Sequence, residues 1–310
     1  MTSSSSFVFI VGSPRSGTTL LQNLLNHHPQ IAEWYEPYYL WEKFFPVPES
    51  DIWDNNYLTK KNINRISTEF NLYRKKTKRP IIVDKTPTNS FNIDIISKIF
   101  PEAKFIHIIR DGRDATLSIQ KEWKKRADIV KEKNFIRYMA LIFNMLKRQR
   151  FWRYRFMAVS YELKCNFTSK LLFKPSTYLN KSRWKGYPGW GPRFKGWQSF
   201  LETHSILEFN AMQWVKSVEA VLNSWDILPE QNKVDIYYEE LIQSPQETLS
   251  TIFNCIGVKA SSDFYETIPK INKKNFNKWK TDFSQEEIQK IKPILSPLLE
   301  RLGYDKKYPW

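Results

Sequence analysis

The residues best suited to chemistry lie in the stretch GSPRSGTT, residues 12–19. Gly12 and Gly17 let backbone N–H groups approach an anion, and a helix N-terminus adds the positive end of its dipole. A nucleotide triphosphatase would carry lysine where this chain has Thr18. The cation here is Arg15, whose guanidinium can bind two oxygens at once. We predict a phosphate-binding loop formed by Gly12, Ser13, Pro14, Arg15, Ser16, Gly17, Thr18 and Thr19.

A second group of candidate residues lies in FIHIIRDGRDATLS, residues 105–118. Arg110 ends a predicted strand, and Ser118 follows eight residues later, after a turn and one to two turns of helix. Both can meet one phosphate at the carboxyl edge of a parallel sheet. The alternative interpretation is a surface turn whose charges pair with one another. Two anion sites on neighbouring strands indicate a ligand that is phosphorylated at two places.

Strands alternate with helices along the chain, which favours βαβ units and a parallel sheet. The short apolar runs predict strands at residues 7–11, 80–85 and 103–110, and a fourth strand that begins at 233. Helical spacing predicts helices after each loop and over 208–225, and SQEE at 284–287 predicts a capped helix that ends at Gly303. We expect an α/β fold with a parallel sheet flanked by helices, as a single domain over 1–310.

The middle of the chain is basic and aromatic. Residues 121–185 hold 18 Lys or Arg against 4 Asp or Glu, out of a net charge of +16 for the chain, and residues 151–200 hold 14 aromatic side chains. Residues 132–152 are predicted helical, and 160–200 are predicted to be an ordered loop or lid because they show no clean period. This composition suits an anionic, glycosidic or amphiphilic ligand, or a membrane surface, although a solvated helix face has the same signature.

These motifs resemble those of sulfotransferases that use 3′-phosphoadenosine 5′-phosphosulfate (PAPS). GSPRSGTT is similar to the 5′-phosphosulfate loop in the form seen in tyrosylprotein and bacterial members, and FIHIIRDGRDATLS resembles the 3′-phosphate motif. The resemblance covers about residues 5–125 and 208–305. It implies PAPS as co-substrate and adenosine 3′,5′-bisphosphate (PAP) as product.

The resemblance also implies roles for residues outside the two motifs. Arg110 and Ser118 take the two positions that contact the 3′-phosphate, and Tyr238 takes the position against the adenine. The segment NKKNFNKWK, residues 272–280, is loosely similar to a segment that closes over the nucleotide, which implicates Lys278 and Trp279. The resemblance does not reach residues 130–200. We therefore expect residues 126–207 to be the acceptor-binding insert. The resemblance does not identify the acceptor.

Sulfuryl transfer to a hydroxyl needs a base, a stabilised leaving oxygen and an in-line geometry. In relatives with an arginine in the loop, the presumed base is a glutamate 21 residues after it, which is Glu36 here. Glu33 in the same EWYEP stretch and, less favoured, His204 are the alternatives. Arg15 and Lys85, which ends a strand in VDKTP, are the expected stabilisers of the leaving oxygen.

Two other classes of function stay open at this stage. A P-loop kinase would need Mg²⁺ and ATP, and Thr18 at the lysine position argues against it. A basic module for nucleic acid or membrane surfaces would leave the phosphate loop unexplained. With no metal-ligand spacing, no signal-peptide pattern, no long apolar run and only Cys165 and Cys255, we expect a metal-independent, cytoplasmic enzyme without specific nucleic-acid binding.

Overall fold

The computed structural model describes residues 6–131, 143, 147–166, 184, 189–272 and 276–310. In this part of the chain, five parallel strands form one sheet in the order β2-β3-β1-β4-β5. The strands are β1 (Phe7–Val11), β2 (Ile31–Trp34), β3 (Ile81–Asp84), β4 (Lys104–Ile109) and β5 (Lys233–Tyr237). Because the strands are parallel, their carboxyl ends share one edge, and the loop after the central strand β1 lies in the middle of that edge.

Helices connect and cover the strands. The first half of the chain contains α1 (Thr18–Asn26), α2 (Tyr38–Phe44), α3 (Lys60–Thr77), α4 (Ile93–Ile99) and α5 (Gly112–Lys131). The second half contains α6 (Trp152–Asn166), α7 (Trp197–Thr203), α8 (Ile206–Trp225), α9 (Tyr238–Gln243), α10 (Pro245–Ile256), α11 (Ser262–Thr267), α12 (Trp279–Asp282), α13 (Gln285–Arg301) and α14 (Tyr304–Lys307). The expected α/β fold is confirmed.

The central strand shows why apolar runs form this sheet. Successive side chains of a strand point to opposite faces, and helices cover both faces here. Phe9 and Val11 lie in the core on one face, while Val8 and Ile10 lie in the core on the other. The strand is therefore almost continuously apolar rather than alternating.

The structure corrects the predicted elements in two places. Strand β2 pairs with β3 at the edge of the sheet, where the sequence analysis placed no strand. Residues 160–166 and 197–200, predicted to be irregular, belong to α6 and α7. The predicted capping box is confirmed, since Ser284 and Glu287 bond to each other's backbone N–H at the start of α13. Residues 132–142 and 144–146, predicted helical, lie outside the described residues.

The described end of the expected insert is packed against the rest of the domain. Trp184, Phe194 and Trp197 are buried with Trp123 of α5 in one cluster. The guanidinium of Arg193, 1% exposed, donates to the carboxylate of Asp51 at 2.8 Å. Because a buried ion pair fixes the relative position of both segments, residues 189–200 form a wall of the domain. Among the described helices, none has the length and apolarity needed to span a bilayer.

Candidate active site

The loop between β1 and α1 has the backbone geometry of an anion cradle. Gly12 and Gly17 have φ values of 147° and 96°, and Arg15 also has a positive φ of 66°. A Cβ on Gly12 would lie 2.5 Å from the carbonyl oxygen of Ile108, and one on Gly17 would lie 2.4 Å from the ring of Tyr238. Both positions therefore require glycine on grounds of space as well as of conformation.

Two serines hold and line this loop. The Oγ of Ser90 accepts from the N–H of Gly12 at 2.9 Å and is within 3.0 Å of its carbonyl oxygen, to which it donates. The Oγ of Ser16 is buried and has no hydrogen-bond partner among the described residues. A buried hydroxyl without a partner costs stability unless a ligand supplies one. Sequence reasoning missed Ser90, because it comes from the distant segment after β3.

The two predicted anion motifs meet at one place. The Nε of Arg15 donates to Oγ of Ser118 at 2.9 Å, and Nη1 of Arg110 donates to the carbonyl oxygen of Arg15 at 2.9 Å. The guanidinium of Arg110 lies 4.4 Å from the ring centroid of Tyr238. The side chain of Arg15, expected at the 5′-phosphosulfate, thus lies at the 3′-phosphate motif.

Glu36 and Lys85, which line the same cleft, form an ion pair between Oε1 and Nζ. Lys85 is 2% exposed and Glu36 is 24% exposed, so the carboxylate faces solvent while the ammonium is buried. Lys85 also lies 5.1 Å from the ring centroid of Tyr35. Glu36 has a φ of 36°, an unusual value for a residue with a side chain and one that often accompanies functional sites.

The alternative bases lie elsewhere. Glu33 is on β2 and does not line the cleft; burial raises the pKa of its carboxyl, opposed by Arg148 and Lys85. His204 stacks on Phe200 at 3.9 Å between ring centroids and lines a separate cavity of about 480 Å³ between α8 and α13. Geometry therefore favours Glu36 over both.

A cleft of about 430 Å³ joins these groups at the carboxyl edge of the sheet. The expected site residues that line it are Pro14, Arg15, Gly17, Thr18, Thr19, Glu36, Lys85, Arg110, Ser118, Tyr238 and Lys278. The residues that sequence reasoning missed are Leu20, Pro87, Asp114, Leu117, Lys121, Trp190, Lys270, Ile271 and Asn272. Most of the missed residues lie within or beside segments already identified: Leu20 follows the glycine loop, and Asp114 and Leu117 lie within residues 105–118.

Asp114 fastens the C-terminal segment to the cleft. Its carboxylate accepts from the backbone N–H of Asn277 at 2.8 Å and of Trp279 at 3.0 Å. Burial raises the pKa of Asp114, and the nearby Arg110 opposes that rise. Lys278, between the two donors, lines the cleft as expected.

Trp279 does not line the cleft, in contrast to the expectation. Its indole is 2% exposed in the core below α5 and lies 4.2 Å from the guanidinium carbon of Arg113. Trp310 packs against it at 5.5 Å between ring centroids. The indole is buried in a core cluster formed with α5, α8 and α13. Trp279 therefore anchors the segment that carries Lys278.

The charges of RDGRD pair internally, as the alternative interpretation required, but they are buried rather than on the surface. Arg113 donates to Asp111 with both side chains fully buried, and Arg110 lies 3.8 Å from Asp114. These pairs hold the start of α5 in place beneath the cleft. Within the described residues, no three His, Cys, Asp or Glu side chains are grouped so as to hold a metal ion.

Comparison with known proteins relates this chain to sulfotransferases. A model described as Sulfotransferase family matches residues 7–70 and 48–163, about half of the chain. The omega-hydroxy-beta-dihydromenaquinone-9 sulfotransferase Stf3 of Mycobacterium bovis is 28% identical over 34% of this chain, and the match spans 42% of that relative. A putative protein-tyrosine sulfotransferase of Caenorhabditis briggsae is 22% identical over 96% of this chain and 89% of the relative.

Among solved structures, a sulfotransferase domain from the curacin biosynthetic pathway has a TM-score of 0.53 at 15% identity. The match covers 95% of this chain and 97% of that domain, which shows that the fold is shared. With the family match over residues 7–163, the chain belongs to the sulfotransferase family.

Proposed function

We propose that this sulfotransferase moves a sulfuryl group from PAPS to a hydroxyl of its acceptor. The observation that carries the proposal is the hydrogen bond between Arg15 and Ser118, which joins two anion-binding motifs in one cleft. A nucleotide with phosphates at both the 5′ and 3′ positions needs two such motifs. The Glu36–Lys85 pair, which lines the same cleft, supplies groups suited to the transfer.

The residues present fit this donor. The loop offers backbone donors, a buried Ser16 hydroxyl without a partner and the Arg15 cation. Arg110 and Ser118 offer donors for a second phosphate, and the ring of Tyr238 offers a stacking surface for a base. We propose as donor-binding residues Gly12, Ser13, Pro14, Arg15, Ser16, Gly17, Thr18, Thr19, Arg110, Ser118, Tyr238 and Lys278.

When bound, PAPS supplies a sulfuryl group whose single negative charge is shared over three oxygens. Glu36, partly exposed at the cleft wall, accepts the proton of the acceptor hydroxyl. Lys85 and Arg15 stabilise the negative charge on the leaving oxygen, and the buried Lys85 does so with little competition from water. Lys85 also holds the carboxylate of Glu36 in position before the acceptor arrives.

A hydroxyl acceptor is supported by the names of the relatives, which include an omega-hydroxy dihydromenaquinone sulfotransferase and protein-tyrosine sulfotransferases. Among the described residues of 126–207, Trp190 lines the cleft, which supports the proposal that this segment is the acceptor-binding insert of a single domain. We propose an anionic, glycosidic or amphiphilic acceptor and a cytoplasmic enzyme.

Calorimetric titration with adenosine 3′,5′-bisphosphate, with and without Mg²⁺ and beside ATP, tests the donor. We expect binding that is independent of Mg²⁺ and lost in Arg110→Ala. The matched control is Lys125→Ala, which removes an exposed cation on α5 that does not line the cleft. Binding of ATP with Mg²⁺ in place of the bisphosphate would overturn the proposal and favour a kinase.

A further inference from the structure

Three large aromatic side chains of the segment 143–156 are exposed. Trp152, at the start of α6, is 81% exposed, Phe156 in the same helix is 70% exposed, and Phe143, nine residues before the helix begins, is 57% exposed. Trp152 and Phe156 are four residues apart, so they share one face of the helix. We call these three residues, with Lys147 and Arg153, the aromatic-basic patch.

The helix beneath the patch is apolar on both faces. Tyr154 and Ala158, on its inner face, are 0% and 3% exposed and pack in the core beside β2. The inner face already anchors the helix, so the outer aromatics are not needed for packing. A cluster of exposed aromatic side chains on a folded domain marks a surface that contacts another partner.

The segment that carries these aromatics is basic, although one of its arginines, Arg153, is paired with a carboxylate of α3. Residues 143–161 contain five Lys or Arg and no Asp or Glu. The ammonium of Lys147 lies 4.7 Å from the ring centroid of Phe143, and Arg153 is 46% exposed beside its partner Glu69. Trp and Phe beside Lys and Arg are the composition of segments that lie in the interface of anionic membranes.

The patch adjoins the acceptor end of the cleft. The guanidinium of Arg148 lies 4.7 Å from the ring centroid of Tyr35, and Nε2 of Gln149 donates to the carbonyl oxygen of Tyr35 at 2.7 Å. Tyr35 in turn precedes Glu36 and contacts Lys85. One residue therefore separates the basic segment before α6 from the proposed base.

We infer that the aromatic-basic patch docks this enzyme on an anionic lipid bilayer. The aromatics protrude from a helix and line neither cavity described above, which suits insertion among headgroups better than a protein groove. The lysine and arginine side chains complement the negative surface potential. Docking in this way brings the side of the cleft that carries Glu36 to the membrane. The inference of membrane docking is independent of the proposed sulfuryl transfer.

Vesicle flotation tests the inference with the full chain. The probes are vesicles of phosphatidylcholine alone and of an equimolar mixture with phosphatidylserine. We expect binding only to the anionic vesicles, weakened by salt, and reduced at least about tenfold in the double variant Trp152→Ser, Phe156→Ser. Ile227→Ser is the matched control, since Ile227 is also exposed, at 56%, but lies between α8 and β5.

A second pair of variants tests the charge. Lys147→Glu should weaken binding to the anionic vesicles, whereas Lys306→Glu, the same change on exposed α14, should leave it intact. Thermal unfolding and bisphosphate titration check that each variant is folded, independently of lipid. Equal flotation of wild type and the double variant overturns the inference. Absence of flotation, with capture of an acidic polypeptide such as polyglutamate instead, overturns it in favour of a protein partner.

Discussion

The Nε of Arg15 donates a hydrogen bond of 2.9 Å to Oγ of Ser118, across 103 residues of chain. The same arginine presents its carbonyl oxygen to Arg110 at 2.9 Å. The loop after β1 and the start of α5 are thus joined by both the side chain and the backbone of one residue. Because only Nε of Arg15 is used in this bond, the Nη1 and Nη2 groups of the guanidinium carry the donors that can reach a ligand.

Ser118→Ala removes a hydroxyl that serves both Arg15 and, as proposed, the 3′-phosphate. We expect binding of adenosine 3′,5′-bisphosphate to weaken about tenfold, the value of a hydrogen bond to a charged group. Adenosine 5′-monophosphate, which lacks the 3′-phosphate, should bind both proteins alike. Calorimetry measures both, with Ser199→Ala on α7 as the control; an equal loss for both ligands would contradict the assignment to the 3′-phosphate.

Glu36→Gln keeps the shape of the side chain but removes the proposed proton acceptor. We expect turnover of an acceptor found by screening to fall by about 10²- to 10⁴-fold, with bisphosphate affinity unchanged. Glu33→Gln is the matched control, three residues away and outside the cleft. Release of the bisphosphate product measures turnover. If Glu33→Gln abolishes turnover and Glu36→Gln does not, the base has been assigned to the wrong glutamate.

Gly17→Ala places a Cβ 2.4 Å from the ring of Tyr238 in a residue with a φ of 96°. We expect bisphosphate binding to be lost, because the ring or the loop must move. Gly196→Ala serves as the control for backbone strain without a steric clash. Gly196 has a φ of 80°, and nothing lies within 4 Å of the added Cβ. Gly196→Ala should cost about 1 kcal/mol of unfolding free energy and leave binding intact. Equal effects of the two changes on binding would show that the Tyr238 contact is unimportant.

Asp84 gives the protein a pH dependence of stability. Burial raises the pKa of its carboxyl from 3.8 to about 6, against the hydrogen bonds from Thr86 and Trp41. Because the folded state takes up the proton more readily than the unfolded state, the contribution of Asp84 to stability is full below about pH 4. It is lost as the pH rises through about 6.

Denaturant unfolding of wild type and Asp84→Asn measures this contribution. The unfolding free energy of wild type minus that of the variant should fall by about 2–3 kcal/mol between roughly pH 4 and 6. Above that range the difference should stay constant. A difference that rises with pH would mean that the folded protein favours the ionised carboxylate.

The sequence predicted the central part of the fold because its signals are local, and the candidate site residues that it singled out there lie at one edge of the sheet. The apolar run of β1, the glycine loop and α1 are adjacent in the chain, and so are β4, Arg110 and α5. Strand β2 (Ile31–Trp34) was missed since it is a four-residue edge strand whose pairing with β3 depends on the fold. Residues 160–166 showed no clear helical period, yet they belong to α6.

The support of the site could not be read from local patterns. Ser90 holds Gly12 across 78 residues, and Asp114 holds Asn277 across 163. Each is an ordinary residue type in an ordinary loop or helix, and only its long-range hydrogen bond gives it a role. Trp279 was predicted to contact the nucleotide because it follows Lys278 in the chain. The sequence does not show the direction in which the indole points.

The fastening of residues 277–279 by Asp114 has a consequence for synthesis of the protein. The wall of the cleft combines the loop after β1 with Lys278, which is synthesised about 260 residues after that loop. A nascent chain can therefore build the sheet and the glycine loop while the cleft still lacks this part of its wall. The ability to hold the proposed nucleotide is complete only after the segment around Lys278 has been synthesised and has reached Asp114.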